Sequence, residues 1–509
     1  MKYLTLLFLC FFLIGKSQTT ESFKPGRFTD PERIDKIRLT LPVIEKLYKE
    51  HAEKFHFPGY AFGVLVDGEL IYKGSGGFSQ IEKKIPATTS TLFRIASMSK
   101  SFTTAAILHL RDAGKLNLDD PIEKYIPAIK NQKLTVDGPF ITIRHCMNHV
   151  AGFPEDNPWG DRQLADTEEE LIQLISQKLS FSNTPGINYE YSNLGFTILG
   201  YIIHKVSGLP YNDYIEQHIL KPLGMHTTTY EYKEVKPELL AHGYRYLDGN
   251  WKNEPLLADG IYGAMGGMLT SIDEFSQYVS LHQQAWPERN EEDKMPLKRG
   301  TLREMHVPQA FIGLNPTYTL PNGKKMATTS SYSFGLNWMK DGEGKTSLGH
   351  SGGLPGFGSN WRFMPEYGLG VIYFANVTYA PTSGVNVAIL DTIIQLAQLK
   401  PRNISISAIL AKRQQELIDL LPLWEKLPDI FADNFFSDYI LEKLKADASR
   451  LYAKAGKIIS VSPMIPENQL RGYCVLKGEN KSLKLSFTLT PEIPARVQEY
   501  HLTEMESSK

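Results

Sequence analysis

The chain has 509 residues, a length that suggests two or three domains and allows a large buried core. Apolar residues make up 42% and charged residues 22%, which is ordinary for a globular protein and excludes a disordered or fibrous chain. The 55 Lys and Arg balance 56 Asp and Glu, for a formal net charge of −1, and no basic tract stands out. This balance argues against nucleic acid as a partner.

The first residues are typical of a secretory signal peptide. Lys2 precedes an apolar run over 3–14, and small and polar residues follow. This run is too short to span a bilayer as an anchor. We therefore predict a signal peptide over 1–18, an exported chain that is periplasmic or secreted, and no integral membrane span after its removal. The bulky Leu9 before Cys10 argues against a lipoprotein anchor.

The remaining cysteines and the histidines do not indicate a metal or a disulfide framework. Cys146 and Cys474 lie far apart, and we expect both to be buried free thiols. His145 and His149 form the one suggestive spacing, but no Glu lies between them as in a zinc protease motif. We expect this pair to cap or pack around the turn at Gly152. No cofactor is predicted.

Helical and strand patterns follow one another along the first 400 residues. The Asp67-Gly68 turn between two apolar runs predicts a β-hairpin. Apolar spacing predicts helices over 31–55, 93–114, 142–148, 171–179, 194–206 and 384–399, with another beginning after Thr270 or Ser271. The predicted strands cover 60–66, 69–74, 332–339, 360–364 and 369–376.

Strands near both ends of this region flank a helical middle, which predicts an α+β fold. We expect one antiparallel sheet built from both ends of the domain and flanked by helices, together with an all-helical subdomain, over 19–399. The polar composition of 283–325 predicts a loop. It is either an insertion or lid over a site, or a plain surface excursion.

A second, smaller module is predicted over 400–509. Two helices, 405–421 and 438–455, precede three strands, 470–476, 482–490 and 495–502. Apolar and polar residues alternate strictly in the middle strand, which predicts a small α+β module whose antiparallel sheet has one buried and one solvated face. Nothing in this module looks catalytic.

Two serine motifs compete for the role of a nucleophile. Ser97 and Lys100 stand one helical turn apart, so the amine can take the proton as the hydroxyl attacks a carbonyl. Ser351 lies in a Gly-x-Ser-x-Gly pattern at 349–353, as in a nucleophile elbow, but 354–358 disfavours the helix that an elbow requires. A glycine-rich strand edge that a ligand can approach closely explains 349–353 better.

Tyr191-Ser192-Asn193 is the second motif of a pattern in which Ser-x-x-Lys upstream is the first motif and His-Ser-Gly-Gly at 350–353 downstream is the third. With these motifs in this order, 31–398 resembles the serine β-lactamase and penicillin-binding-protein superfamily, specifically the branch similar to class C β-lactamases, with its esterases and D-amino-acid peptidases. The phrases that carry the resemblance are FRIASMSK, ITIRHCMNHVAGF, YEYSNLGFTILGYIIHKVSG, PLGM, GAMGGMLTSIDE and GHSGGLPGF.

The resemblance implies an acyl-enzyme mechanism on a small-molecule or peptide substrate. Ser97 would be the nucleophile, Lys100 the proton acceptor and Tyr191 the group that shuttles the proton to the leaving group. The backbone N–H groups of Ser97 and Gly353 would form the oxyanion hole. The implied substrate and oxyanion contacts are Asn193, His350, Ser351, Gly352 and Gly353. The oligomeric state stays open.

One departure bears on the substrate. The third motif of β-lactamases normally begins with Lys, whose charge lies near the substrate carboxylate, whereas here it begins with His350. We therefore favour an esterase, amidase or D-specific peptidase over a β-lactamase. The rival from another class is a catalytically silent protein that binds peptidoglycan fragments or peptides.

The C-terminal module resembles the cystatin-like appendages that follow such hydrolase domains.

Overall fold

The computed structural model describes residues 23–320 and 323–505, so the predicted signal peptide lies outside the described residues. The chain divides into two compact units, one over Phe28–Arg402 and one formed from Asn403 onward with the segment that ends at Arg27. Within the described ranges, no helix has the length and apolar character needed to cross a membrane.

A nine-stranded sheet forms the centre of the larger unit. All neighbouring strands in it are antiparallel. The strand order is Ile85–Pro86, Glu69–Gln80, Gly59–Val66, Leu369–Ala375, Phe357–Met364, Thr346–Leu354, Leu336–Asp341, Lys325–Ser333 and Ala310–Thr319. The sheet therefore joins strands from both ends of the unit, and the predicted α+β fold is confirmed.

Helices cover both faces of this sheet. In the inner strand Leu369–Ala375, every residue is buried, because successive side chains point to opposite faces and each face is covered. The Tyr373 ring packs 4.6 Å from Tyr48 of the helix Arg33–Lys54, and the Phe374 ring packs 5.6 Å from Phe275 of the helix Ile272–Gln284. The helix Thr382–Leu396 shares the Tyr373 side of the sheet.

The helical region between the two sets of strands holds the Ser97 and Tyr191 motifs, whereas 350–353 lies in the strand Thr346–Leu354 of the sheet. Cys146 lies here as a buried free thiol, as expected. The α-helices of this region are Ser99–Asp112, Ile143–Met147, Asn157–Gly160, Glu168–Ser176, Asn193–Ser207, Tyr211–Ile215 and Gly263–Gly266.

The prediction of one helix over 93–114 was wrong at its start. Phe93–Arg94 is a short strand paired with Leu269–Thr270, and a 3-10 turn over Ala96–Met98 precedes the helix Ser99–Asp112. Ala96 has a φ of 51°, a left-handed conformation that an α-helix cannot include. The apolar spacing hid this break because residues on both sides of it are buried in the same core.

Two predictions near the end of the sheet were also wrong. The span 283–325 is not a continuous loop, because the helix Arg299–Met305 and the edge strand Ala310–Thr319 lie within it. The strand predicted over 332–339 is a tight hairpin that turns at Phe334 and Gly335, whose φ values are 42° and 80°. The Phe334 side chain is buried, so the apolar pattern runs through the turn and conceals it.

The smaller unit contains a separate antiparallel sheet and its own core. Its strand order is Ile458–Val461, Arg471–Gly478, Ser482–Leu489 and Val497–Glu504, with Ile465–Pro466 paired to the second strand. Every second residue of Ser482–Leu489 is buried, as its alternating pattern predicts. Its helices are Ala408–Leu420, Phe435–Asp438 and Leu441–Ala455, and Cys474 is a buried free thiol.

Candidate active site

Ser97 and Lys100 meet at the start of a buried helix. Ser97 lies in the 3-10 turn Ala96–Met98 and keeps 8% of its surface exposed, whereas Lys100, one turn further on, is fully buried. The Lys100 Nζ atom lies 3.0 Å from Ser97 Oγ. The structure therefore brings the two residues of the first motif into hydrogen-bond contact.

Two further acceptors fix the Lys100 amine. Its Nζ donates to Asn193 Oδ1 at 2.7 Å and to the Met265 carbonyl at 2.9 Å. Burial lowers the pKa of Lys100 from 10.5 to about 7, although the Asp161 and Asp156 carboxyls oppose this shift. In the neutral amine, the two N–H groups that remain would face Asn193 and Met265. The lone pair would then face the Ser97 hydroxyl.

Tyr191 lies next to this pair. The Lys100 ammonium is 4.9 Å from the centre of the Tyr191 ring. Burial raises the pKa of the Tyr191 phenol well above its usual value, and a hydrogen bond from Ser97 only partly offsets this. The phenol therefore stays protonated at neutral pH and has a proton to give.

His149 is a member of this cluster that the sequence pattern did not assign to the site. Its ring packs 4.1 Å from the Tyr191 ring, and its Nδ1 accepts the Ser192 N–H at 3.0 Å. His145 lies apart, because it closes the capping box with Thr142 at the start of the helix Ile143–Met147. The two histidines thus have different partners, and no cluster able to hold a metal occurs among the described residues.

Gly352 brings the glycine-rich strand against the serine turn. A Cβ at this position would lie 2.1 Å from the Ile95 carbonyl oxygen and 3.0 Å from Ala96 Cβ. Only glycine fits between the strand Thr346–Leu354 and the residues that lead into Ser97. The third motif is therefore held next to the serine by backbone contact.

We expect Gly352→Ala to lower the activity of Ser97 roughly 100-fold, because the added carbon pushes the strand away from the serine turn. Initial rates on an aryl ester, with the thermal midpoint measured beside them, check this. Gly384→Ala is the matched control, since no atom of the described residues lies within 4 Å of its added carbon. Wild-type rates in Gly352→Ala would contradict the packing described.

His350 is buried, and both of its ring nitrogens have partners. Nδ1 lies 2.5 Å from the Ser351 carbonyl, which can only accept, so Nδ1 carries the proton and Nε2 accepts from the Tyr332 hydroxyl at 2.8 Å. Burial also lowers the pKa of His350 to about 3. The imidazole is therefore neutral at physiological pH.

Ser351 faces away from Ser97. It is paired in register with Asn360, whose Nδ2 donates to Ser351 Oγ at 3.0 Å. Its neighbour Gly352 faces Ile95, and successive side chains in a strand point to opposite faces. The Ser351 hydroxyl thus lies on the far side of the strand from the Ser97 turn.

A short segment before the second motif adds two carboxylates that the sequence motifs do not include. Asp156 accepts backbone N–H groups at the start of the helix Asn193–Ser207. Asp161 is buried and accepts the Tyr379 hydroxyl at 2.9 Å through Oδ2, and no described residue hydrogen-bonds to its Oδ1. Burial raises the pKa of Asp161 to about 6. Both carboxylates lie near enough to Lys100 to influence its charge.

Comparison with known proteins decides the family. A sequence model of the family described as Beta-lactamase matches residues 44–394, which include all three motifs. The chain belongs to the beta-lactamase family. Its relatives include penicillin-binding proteins, so the wider superfamily of serine β-lactamases and penicillin-binding proteins is confirmed.

Two relatives in this family match most of the larger unit. Penicillin-binding protein 4* of Bacillus subtilis (strain 168) is 27% identical over 353 residues, which cover 65% of this chain and 71% of that protein. Protein flp of Staphylococcus aureus (strain MW2) is 26% identical over 347 residues, which cover 66% of this chain and 64% of that protein. The chain thus spans just under two thirds of the length of protein flp.

Solved structures share the fold of this family. The octameric penicillin-binding protein homologue from Pyrococcus abyssi has a TM-score of 0.60 and 22% identity, covering 91% of this chain and 98% of that one. The penicillin binding protein from Bacillus halodurans has a TM-score of 0.54 and 22% identity, covering 69% of this chain and 98% of that one. At this identity, the likeness concerns the fold.

Proposed function

We propose that the chain is an exported serine hydrolase that forms an acyl-enzyme at Ser97 on an ester, an amide or a D-amino-acid peptide. The observation that carries this is the buried amine of Lys100, 3.0 Å from Ser97 Oγ, with its other donors directed to Asn193 and Met265. A buried lysine at this position destabilises the fold, because burial of its charge is costly. It is a suitable general base.

The proposed reaction uses these groups in two steps. Neutral Lys100 takes the Ser97 proton while Oγ attacks the substrate carbonyl, and the N–H groups of Ser97 and Gly353 stabilise the oxyanion. The Tyr191 phenol gives its proton to the leaving group and regains one from Lys100 as the acyl-enzyme forms. Water then attacks the ester at Ser97, its proton passes to the same bases, and the acid and free Ser97 are released.

The pH dependence follows from the lowered pKa of Lys100. Because its pKa is about 7 and its neutral form is the active one, kcat/KM should rise with pH and level off above about pH 7. A lysine with its ordinary pKa of about 10.4 would give a rate that still rises past pH 9. Rates on an aryl ester between pH 5 and 10 distinguish the two profiles.

The neutral His350 supports an esterase, amidase or D-peptidase over a β-lactamase. At the position where β-lactamases carry a lysine charge, this chain has a buried imidazole whose two nitrogens are engaged by Tyr332 and the Ser351 carbonyl. Such a group cannot supply the point charge that attracts a β-lactam carboxylate. A β-lactamase of the class C branch is therefore the second candidate.

A panel of substrates tests this function. We expect turnover of an aryl ester or a D-alanyl peptide, and slower turnover of a chromogenic cephalosporin. Rapid cephalosporin turnover with no esterase activity would favour the β-lactamase. Binding of peptidoglycan fragments with no turnover of any member would favour a silent binding protein and overturn the proposal.

Export is proposed from the signal-like residues 1–18 alone. The C-terminal module is proposed as an accessory part, since the described residues of its sheet and helices carry no cluster like that around Ser97. Expression of the full chain, followed by N-terminal sequencing of the mature protein from the periplasm and the medium, tests the export.

A further inference from the structure

We infer that the segment Glu155, Asp156 and Asn157, here called the 155–157 clamp, positions Asn193 and thereby directs the Lys100 lone pair at Ser97. This inference rests on the proposed function. It adds positioning residues that lie outside the three motifs. The contacts that carry it are of two kinds, one to the backbone of Asn193 and one to its side-chain amide.

The first contact fixes the backbone. Asp156 Oδ1 accepts the Asn193 N–H at 2.6 Å, and Oδ2 accepts the Leu194 N–H at 2.9 Å. The same Oδ2 lies 3.4 Å from the Ser192 hydroxyl, which can donate to it. These are N–H groups that the first turn of the helix Asn193–Ser207 leaves without helical partners. One carboxylate thus sets where Asn193 begins the helix.

The second contact fixes the orientation of the amide. Asn157 Nδ2 donates to Glu155 Oε1 at 2.9 Å, and a carboxylate can only accept, so Asn157 Oδ1 faces the other way. There it accepts Asn193 Nδ2 at 3.1 Å, which leaves Asn193 Oδ1 to accept from Lys100 Nζ at 2.7 Å. A flipped Asn193 would bring a donor against the amine and an acceptor against Asn157.

The result is a chain of four groups with one consistent set of donors and acceptors. It runs from Glu155 through Asn157 and Asn193 to Lys100. Since the neutral amine has two N–H groups, a fixed acceptor at Asn193 and another at the Met265 carbonyl leave one direction for the lone pair. That direction is toward Ser97 Oγ.

Charge gives the clamp a second effect that can be measured. Asp156 and Asp161 are the carboxylates that raise the pKa of Lys100 against the lowering by burial. Among the described residues, His149 and His350, whose pKa values are lowered, and Tyr191, whose pKa is raised, also lie near the amine, and all three are uncharged near pH 7. Loss of the Asp156 charge should therefore lower the pKa of Lys100 further.

The test is the rate at which a fluorophosphonate labels Ser97 in the full chain, measured from pH 5 to 9. We expect Asp156→Asn to reduce the plateau rate about 10- to 100-fold, because an amide cannot accept both N–H groups and Asn193 shifts. The acid limb of the profile should also move to lower pH, since one negative charge near Lys100 is lost.

Asp161→Asn is the charge-matched comparison. It removes the same charge near Lys100, but its carboxylate contacts Tyr379 and not the helix that begins at Asn193. We expect its acid limb to move to lower pH while its plateau falls clearly less than that of Asp156→Asn. Leucine is similar in size to asparagine, so Asn157→Leu removes the acceptor without changing the charge near Lys100. It should lower the plateau and leave the acid limb in place.

A plateau in Asp156→Asn equal to that of Asp161→Asn would overturn the inference, as would a wild-type plateau in Asn157→Leu. If Asp156→Asn does not fold, the Asn157→Leu profile decides alone. The proposed function fails separately, since a wild-type chain that is not labelled at Ser97 at any pH refutes it, whereas labelled variants with wild-type profiles refute only the clamp.

Discussion

Replacing Lys100 by methionine is expected to lower aryl ester hydrolysis by roughly 10³- to 10⁴-fold at pH 8, because the general base of Ser97 is lost. Methionine fills the fully buried site with a chain of similar length and removes a buried ionisable group, so the fold should be retained. Initial rates and the thermal midpoint of the same preparation give both quantities.

Lys100→Arg sharpens this test. A guanidinium keeps its proton at every accessible pH, so it cannot act as a base although it preserves the positive charge. We expect a loss as large as that in Lys100→Met. Lys46→Met is the control, since the Lys46 side chain is 72% exposed and its ion pair with Glu50 lies on the surface. Activity above a tenth of wild type in Lys100→Arg would show that another group is the base.

The second large effect is expected at the nucleophile. Ser97→Ala should lose roughly 10⁴-fold or more of the activity, because the acyl-enzyme cannot form. Ser351→Ala should lose less than about tenfold, since its hydroxyl lies on the opposite face of the strand and accepts from Asn360. Parallel rates on one aryl ester compare the two variants.

The opposite ranking would overturn the assignment of the nucleophile. If Ser351→Ala abolished turnover while Ser97→Ala retained it, the Gly-x-Ser-x-Gly motif would be the catalytic one. A loss of folding in either variant is detected by its thermal midpoint. Ser97→Gly and Ser351→Gly then repeat the comparison.

Local turn chemistry explains where the sequence predicted the fold well. Asp67 and Gly68 have φ values of 52° and 89°, the two left-handed residues that join antiparallel strands. The same dipeptide, Asp248-Gly249, joins the hairpin of Gly243–Leu247 and Asn250–Glu254, which we did not predict. Its second strand is exposed and polar, so no apolar pattern accompanied the turn.

The edge strand Ala310–Thr319 shows why the polar span was misread. Nearly all its residues are partly or fully exposed, since the strand closes one side of the sheet and, among the described strands, pairs with Lys325–Ser333 alone. Apolar alternation marks a strand when one face is buried. An edge strand with little burial lacks that mark, so its pairing could not be found from the residues alone.

The site residues also fall into two groups, those whose contacts follow from local sequence spacing and those whose contacts do not. Ser97 and Lys100 are three residues apart, so their contact follows from local geometry. Asp156 and Asn193 are 37 residues apart, and His149 reaches the Tyr191 ring through a turn in which its φ is 56°. No spacing rule connects such positions. The contact between Asp156 and Asn193 depends on how the helices pack.

The most direct test of the central claim is to find where a covalent probe reacts. Wild-type protein is treated at pH 8 with a fluorophosphonate and, separately, with a labelled penicillin, and the adduct is located by peptide mass spectrometry. The proposed mechanism predicts one fluorophosphonate adduct, on Ser97, that is lost in Ser97→Ala and slowed in Lys100→Met. An adduct on Ser351, or no adduct with either probe, would contradict it.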